Sequence, residues 1–129
     1  NYTTYDYNKP FKDAATYHMG KQWRMPTTDE FRELYDNTRN EWVKNYQGSG
    51  VSGRLFTSKV NGQTLFFPAA GYCNVVSVYN IGYIGFAWSS SLNTYSNYDA
   101  YNSRFNSSNI YYHYGSSRFV GFNVRGVRN

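Results

Sequence analysis

Pro26-Thr27-Thr28-Asp29-Glu30-Phe31-Arg32-Glu33-Leu34-Tyr35 carries both a helix start signal and a buried face. Thr27 is placed to accept a hydrogen bond from the Glu30 amide while the Glu30 side chain reaches back, which is a capping box. Asp29 and Glu30 also suit the positive end of a helix dipole. Phe31, Leu34 and Tyr35 then recur at helical spacing, so the stretch predicts a helix that lays one apolar face on its neighbours. Upstream, Asp13-Ala-Ala-Thr-Tyr-His-Met19 reads as a short helix closed by Gly20.

Downstream the period changes from helical to alternating. Gly48-Ser-Gly-Val-Ser-Gly53 is a loop, and Leu55 to Val60 and Thr64 to Phe67 read as two strands joined through Asn61-Gly62, a hairpin signal, the second ending at Pro68. After Gly71 no helical pattern remains. The candidate strands are Ile84 to Ser90, Ala100 to Phe105, Ile110 to Tyr114 and Phe119 to Val127, separated by Asn, Ser and Gly turns. The expected fold class is therefore α+β, two N-terminal helices packed on antiparallel strands. At 129 residues and 15.0 kDa it forms one domain with no internal boundary.

The two halves differ in composition. From Tyr72 to Asn129 there is no Lys, Glu, Gln, Met or Pro, although Lys, Glu, Gln and Met alone should supply about ten residues in a stretch of this length. Tyr, Asn and Ser occur 9, 9 and 10 times there, which is 28 of 58 positions. Lys, Glu, Gln and Met, with Trp, are the residues that no codon ending in a pyrimidine encodes. Mutation of the two adenines in Asn codons ending in C or T yields products from the complementary set, and the block reads like such products. Tyr, Ser, Gly and Asn are also the mixture used by antibody loops, because Tyr supplies amphipathic contact area at low entropy cost. Origin and use both point to binding.

Several function classes lose support. Aromatics are 21% of the chain against 16% charged residues, which argues against disorder. The net charge is +5, but after Tyr72 the basic residues are four isolated arginines, Arg104, Arg118, Arg125 and Arg128, so nucleic acid is not an expected partner. No apolar run approaches the ~20 residues of a membrane span and no signal peptide is visible, so no membrane insertion is expected. The chain begins at Asn1 rather than Met, so it reads as a piece processed or excised from something longer. The single cysteine, Cys73, excludes an internal disulfide, and it has no CxxC partner or neighbouring His or Lys to activate it.

No catalytic set emerges either. The Gly48 to Gly53 run matches GxGxxG by letter but is followed by a strand rather than a helix, and no GxSxG elbow exists. His18 and His113 lie far apart, and capping already explains Asp29, Glu30 and Glu33. No enzyme activity, metal or cofactor is expected. Asn1-Tyr-Thr3 and Asn106-Ser-Ser108 match the glycosylation acceptor pattern, which carries little weight in so Asn- and Ser-rich a chain. Tyr111-Tyr112-His113-Tyr114 places neighbours on opposite faces of a strand, so these rings cannot all be core. An exposed aromatic surface follows, of the kind that marks an interaction site.

Trp23-Arg-Met-Pro-Thr-Thr-Asp-Glu-Phe31, Leu65-Phe-Phe-Pro-Ala-Ala-Gly71, Gly85-Phe-Ala-Trp-Ser-Ser-Ser91 and Val124-Arg-Gly-Val127 occur in this order. Together they resemble the C-type lectin fold of the formylglycine-generating-enzyme type, and within it the variable proteins of diversity-generating retroelements in phages and bacteria. The match runs from about Asp13 to Arg128. In that family, reverse-transcription errors at template adenines diversify a C-terminal stretch on a fixed scaffold. The resemblance implies a hypervariable part at about residues 72 to 123. It implies a scaffold that includes Trp23, Arg24, Pro26, Pro68, Gly71, Trp88, Ser89, Ser90, Gly121, Val124 and Arg125. The implied ligand-binding face draws on Tyr79, Tyr83, Ile84, Tyr95, Tyr98, Tyr101, Arg104, Tyr111, Tyr112, His113, Tyr114, Phe119 and Val120.

The sequence departs from two relatives of that fold. Formylglycine-generating catalysis uses a pair of cysteines and only Cys73 is present; calcium-dependent sugar sites carry EPN or QPD followed by WND, and neither occurs. The resemblance thus implies a non-enzymatic binder of a protein or glycan ligand on a cell surface, located outside the cell on a phage tail or bacterial surface. The alternative is a fixed carbohydrate-binding or adhesin domain of the same fold, with tyrosines stacked on sugar rings.

Overall fold

A computed structural model describes residues 13–129, so the glycosylation pattern at Asn1 lies outside the described residues. The order is α1 (Ala14–Met19), β1 (Trp23–Arg24), α2 (Thr28–Asn37), β2 (Thr38–Val43), a 3₁₀ turn (Tyr46–Gly48), β3 (Gly53–Ser58), β4 (Thr64–Pro68), β5 (Tyr72–Asn74), β6 (Ser77–Tyr79), β7 (Gly85–Trp88), β8 (Asp99–Phe105), β9 (Ile110–Ser117) and β10 (Val127–Arg128). The fold is α+β, with every named strand pair antiparallel: β2-β3-β4, β7-β8-β9, and the two-stranded pairs β5-β6 and β1-β10.

The capping box forms as read. The Glu30 amide donates to Thr27 Oγ1 at 3.2 Å, and Glu30 Oε1 accepts from the Thr27 amide at 3.1 Å. Glu30 also receives the Arg24 guanidinium through both oxygens, the Nη2 to Oε2 contact being 2.9 Å. This hydrogen bond, reinforced by those from Thr27, holds the Glu30 carboxyl down to about 2. Its ordinary value in an unfolded chain is about 4.3. A depressed folded value gives stability that is present above the unfolded value and lost as pH falls through the folded one. Glu30→Gln is therefore expected to lower the denaturation midpoint at neutral pH and to flatten its decline between about pH 4.3 and 2.

The apolar face of α2 is the one predicted. Phe31 and Tyr35 join Phe56, Phe67, Ala69, Ala87 and Phe105 in one buried cluster, with Leu34, Trp42, Leu65 and Ile110 packed around it. Phe56 stacks on Tyr35 with centroids 5.4 Å apart and meets Phe67 edge-on at 5.4 Å. Burial pushes the Tyr35 phenol up to about 12, so it stays protonated and hydrogen-bonds the Ser103 hydroxyl of β8. Buried Arg54 of β3 donates to the Asn106 carbonyl at 3.1 Å and to Asn40 Oδ1 at 2.8 Å, tying the β8–β9 turn to the other sheet. The helix entry is anchored as well: the Thr28 amide donates to Ser91 Oγ at 2.9 Å and the Ser90 amide to the Pro26 carbonyl at 2.9 Å.

The strands differ from the sequence reading in four places, one being β1, which was not expected. Phe119 to Val127 is not a continuous strand: Gly121 bridges Cys73, Asn123 bridges Ala87, and only Val127–Arg128 pairs as β10. This segment passes from one sheet to the next, so no single partner runs beside it. β2, which follows α2 without a break, pairs along its whole length with β3 and was not expected. The β5–β6 hairpin was also missed. The remaining expected strands form with ends displaced by at most three residues, Lys59 and Val60 falling in the turn with Asn61-Gly62.

Candidate functional site

Apolar exposure is distributed unevenly along the chain. Among the described residues, 14 of 18 exposed large hydrophobic side chains lie from Val75 onward, whereas 7 of 10 buried hydrophobic ones lie at or before Ala69. The second half therefore packs its strands on a core supplied mostly by the first and turns most of its tyrosines outward. Tyr95 is 93% exposed, Tyr98 75%, Tyr83 74% and Phe119 76%.

Backbone anchors hold these exposed residues in place. The Gly71 amide donates to the Ile84 carbonyl at 2.8 Å and the Gly82 amide to the Ala69 carbonyl at 2.7 Å, which fixes the turn bearing Tyr83. Buried Asn93 accepts from the amides of Tyr95 at 3.0 Å and Ser96 at 3.2 Å. Arg118 ties the next segment, its amide donating to the Tyr98 carbonyl at 2.9 Å and its Nε to the Asn97 carbonyl at 3.0 Å.

The sheet β7-β8-β9 sorts the remaining predicted residues onto two faces. Asn102 pairs with Tyr114 and Arg104 with Tyr111, so β9 holds one more residue than β8 between these pairs. This bulge brings Tyr111 and Tyr114, three apart in sequence, to the same face, with ring centroids 6.1 Å apart. Arg104 shares that face, its guanidinium lying 4.9 Å from the Tyr114 ring and 5.6 Å from Phe86. Tyr112 instead turns to Tyr35 of α2 at 6.4 Å, and His113 packs on Tyr101 at 4.0 Å. Tyr101, Tyr112 and His113 thus stand on the helix side, apart from Arg104, Tyr111 and Tyr114.

The Arg104 face borders a cleft of about 460 Å³, whose lining includes predicted Ile84, Arg104, Tyr114 and Val120. It also includes Tyr72, Asn80, Phe86 and Phe122, which sequence reasoning did not select. An unbroken series of ring contacts runs along it. Tyr79 stacks on Tyr72 at 5.4 Å, Tyr72 meets Phe86 edge-on at 5.8 Å, and Phe86 stacks on Phe122 at 4.2 Å. Trp88 closes the series, 4.4 Å from Phe122. The signal that marks Tyr72 is its place opposite predicted Tyr79 across a two-residue turn, and it was hidden because the turn is Val75-Val76 rather than Gly or Asn.

Both valines are almost fully exposed, and Val75 has φ 58, a left-handed conformation that β-branched residues disfavour. Replacing Val75 by Asn, which tolerates this region, is expected to raise stability by about 1 kcal/mol in chemical denaturation.

Other predicted scaffold residues occupy structural positions. Trp23 pairs with Arg128, Gly121 exchanges backbone hydrogen bonds with Cys73 at 2.8 and 2.7 Å, and Arg125 lies 5.6 Å from the Phe67 ring. Val124 is 40% exposed, so its side chain contributes less to the core than its backbone position does to the chain path. Among the described residues, no group of three or more His, Cys, Asp and Glu is arranged to hold a metal ion, and no helix is long and apolar enough to cross a membrane. No protein-family model, curated protein or solved structure matches the chain.

Proposed function

We propose that this chain is a diversified, non-enzymatic ligand-binding protein of C-type lectin-like fold, the variable protein of a diversity-generating retroelement. Its Tyr-, Asn- and Ser-rich second half docks on a protein or other receptor at a cell surface, and it acts outside the cell, on a phage tail or bacterial surface. The observation that carries this reading is the concentration of exposed apolar side chains in the half of the chain that lacks Lys, Glu, Gln and Met. A soluble domain rarely exposes so much aromatic surface without a partner for it. Tyr and Arg are favoured anchors of protein interfaces, each hot spot contributing roughly 2 kcal/mol or more. Valines in a tight hairpin tip further support a segment whose residues answer to something other than turn propensity.

The reading requires a scaffold indifferent to its display residues. A library that randomises Tyr79, Tyr83, Tyr95, Tyr98, Tyr111 and Phe119 over residues with pyrimidine-ending codons tests this. Most members should keep melting temperatures within a few degrees of the parent, and selection should recover binders to unrelated proteins. A library that is largely unfolded contradicts the proposal.

The aromatic walls of the cleft, with Asn80, Ser116 and Ser117 beside them, favour one second reading, a fixed carbohydrate-binding or adhesin domain. A fixed sugar site needs Tyr72, Tyr114 and Asn80 to be the same in every copy of the gene.

A further inference from the structure

We propose that the cleft at Arg104 receives a carboxylate, supplied by an acidic side chain of a protein partner. The inference rests on the binding role argued above and names the chemistry that the site selects. Arg104 Nε is buried and has no hydrogen-bond partner, and among the described residues no carboxylate lies in ion-pair contact with the guanidinium. A buried donor of this kind costs free energy until something accepts from it. Its guanidinium lies against the rings of Phe86 and Tyr114. Ring faces bind a guanidinium through its plane, leaving N–H groups at its edge to meet the fork of a carboxylate.

The rest of the cleft fits this occupant. Asn102, fully buried beneath it, donates to Ser116 Oγ at 3.0 Å, which orients that hydroxyl, while its own Oδ1 has no partner. Asp99, the acid of the cleft, lies five residues from Arg104 along β8, roughly 16 Å at the rise of a strand. It therefore leaves the Arg104 end positive. Tyr79 and Tyr111 rest on the cleft residues Tyr72 and Tyr114 and extend the apolar surface beyond it. An acidic side chain flanked by apolar neighbours on a protein covers both the charge and that surface, which a lone acidic sugar does not.

The test uses the 129-residue chain labelled with ¹⁵N and follows the Arg104 Nε–H signal, assigned by its loss in Arg104→Lys. Phenylacetate should move the signal saturably, and phenylacetamide, the same shape without charge, should bind at least tenfold more weakly. Arg104→Lys, which keeps the charge and loses the fork, should bind phenylacetate at least tenfold more weakly, read from other cleft signals. Equal response to both probes, no response, or undiminished binding by the Lys variant overturns the proposal. N-acetyl-Phe-Asp-amide should bind more tightly than the methyl glycoside of N-acetylneuraminate; the reverse order overturns the protein source. A random-peptide display selection separates this inference from the function beneath it. Binders without acidic residues defeat the carboxylate and leave the binding role standing, whereas no binders at all count against the binding role while the Arg104 titration still decides the carboxylate.

Discussion

Phe56→Ala is expected to lower stability by about 3–5 kcal/mol, the range for removing a buried aromatic side chain. Phe56 is 1% exposed and is held between Tyr35 of α2 and Phe67 of β4, so the cavity opens where helix and sheet meet and neither can collapse alone. For a domain of this size the loss corresponds to a fall in melting temperature of about 10–20 °C. Tyr95→Ala, at a side chain 93% exposed, should stay within about 0.5 kcal/mol of the parent. Urea denaturation of both variants checks the contrast. Similar losses at the two positions would show that the display residues hold the fold together, and the division between scaffold and face would fail.

Gly71→Ala is expected to cost about 3 kcal/mol and to displace the turn that carries Tyr83 and Ile84. Gly71 has φ 69, where a Cβ is disfavoured by about 1 kcal/mol. A Cβ there would also lie 1.9 Å from the Tyr79 carbonyl oxygen and 3.0 Å from the Ile81 nitrogen. Both are backbone atoms, so no side chain can swing aside to relieve the clash. The 2.8 Å bond from the Gly71 amide to the Ile84 carbonyl must lengthen or break, and the wall of the cleft goes with it. Equilibrium unfolding gives the energy, and faster hydrogen exchange at the Gly71 and Gly82 amides reports the displaced turn. A variant with parental stability and exchange would show that this turn is not anchored at Gly71.

Elements whose signals are local were legible in the sequence. The α2 start was readable because Thr27 and Glu30 satisfy each other within four residues, and the β3–β4 hairpin because Asn61-Gly62 suits a tight turn. β2 was not, since its Thr-Arg-Asn-Glu-Trp-Val run gains its pairing only from β3. The β5–β6 hairpin was hidden by Val75, a residue that turn chemistry would not place there. At the site, the residue types were legible but their faces were not. Strict alternation puts Tyr111 and Tyr114 on opposite sides of β9, and the bulge opposite Asn102 and Arg104 reunites them. Phe122 was not legible because the segment from Gly121 to Asn123 crosses between sheets, and this crossing stacks its ring on buried Phe86 at the cleft.

A fixed scaffold presenting a face of interchangeable residues leaves a record in the gene itself, which sequencing many copies from its source population would read. Substitutions should concentrate after Tyr72 at codons ending in a pyrimidine, falling on exposed positions such as Tyr83, Tyr95, Tyr98 and Phe119 and sparing Gly71, Phe86, Trp88, Asn102 and Phe105. Substitutions that are rare, or spread evenly over both halves and over buried and exposed positions alike, would contradict it and leave a fixed domain to be screened against sugars.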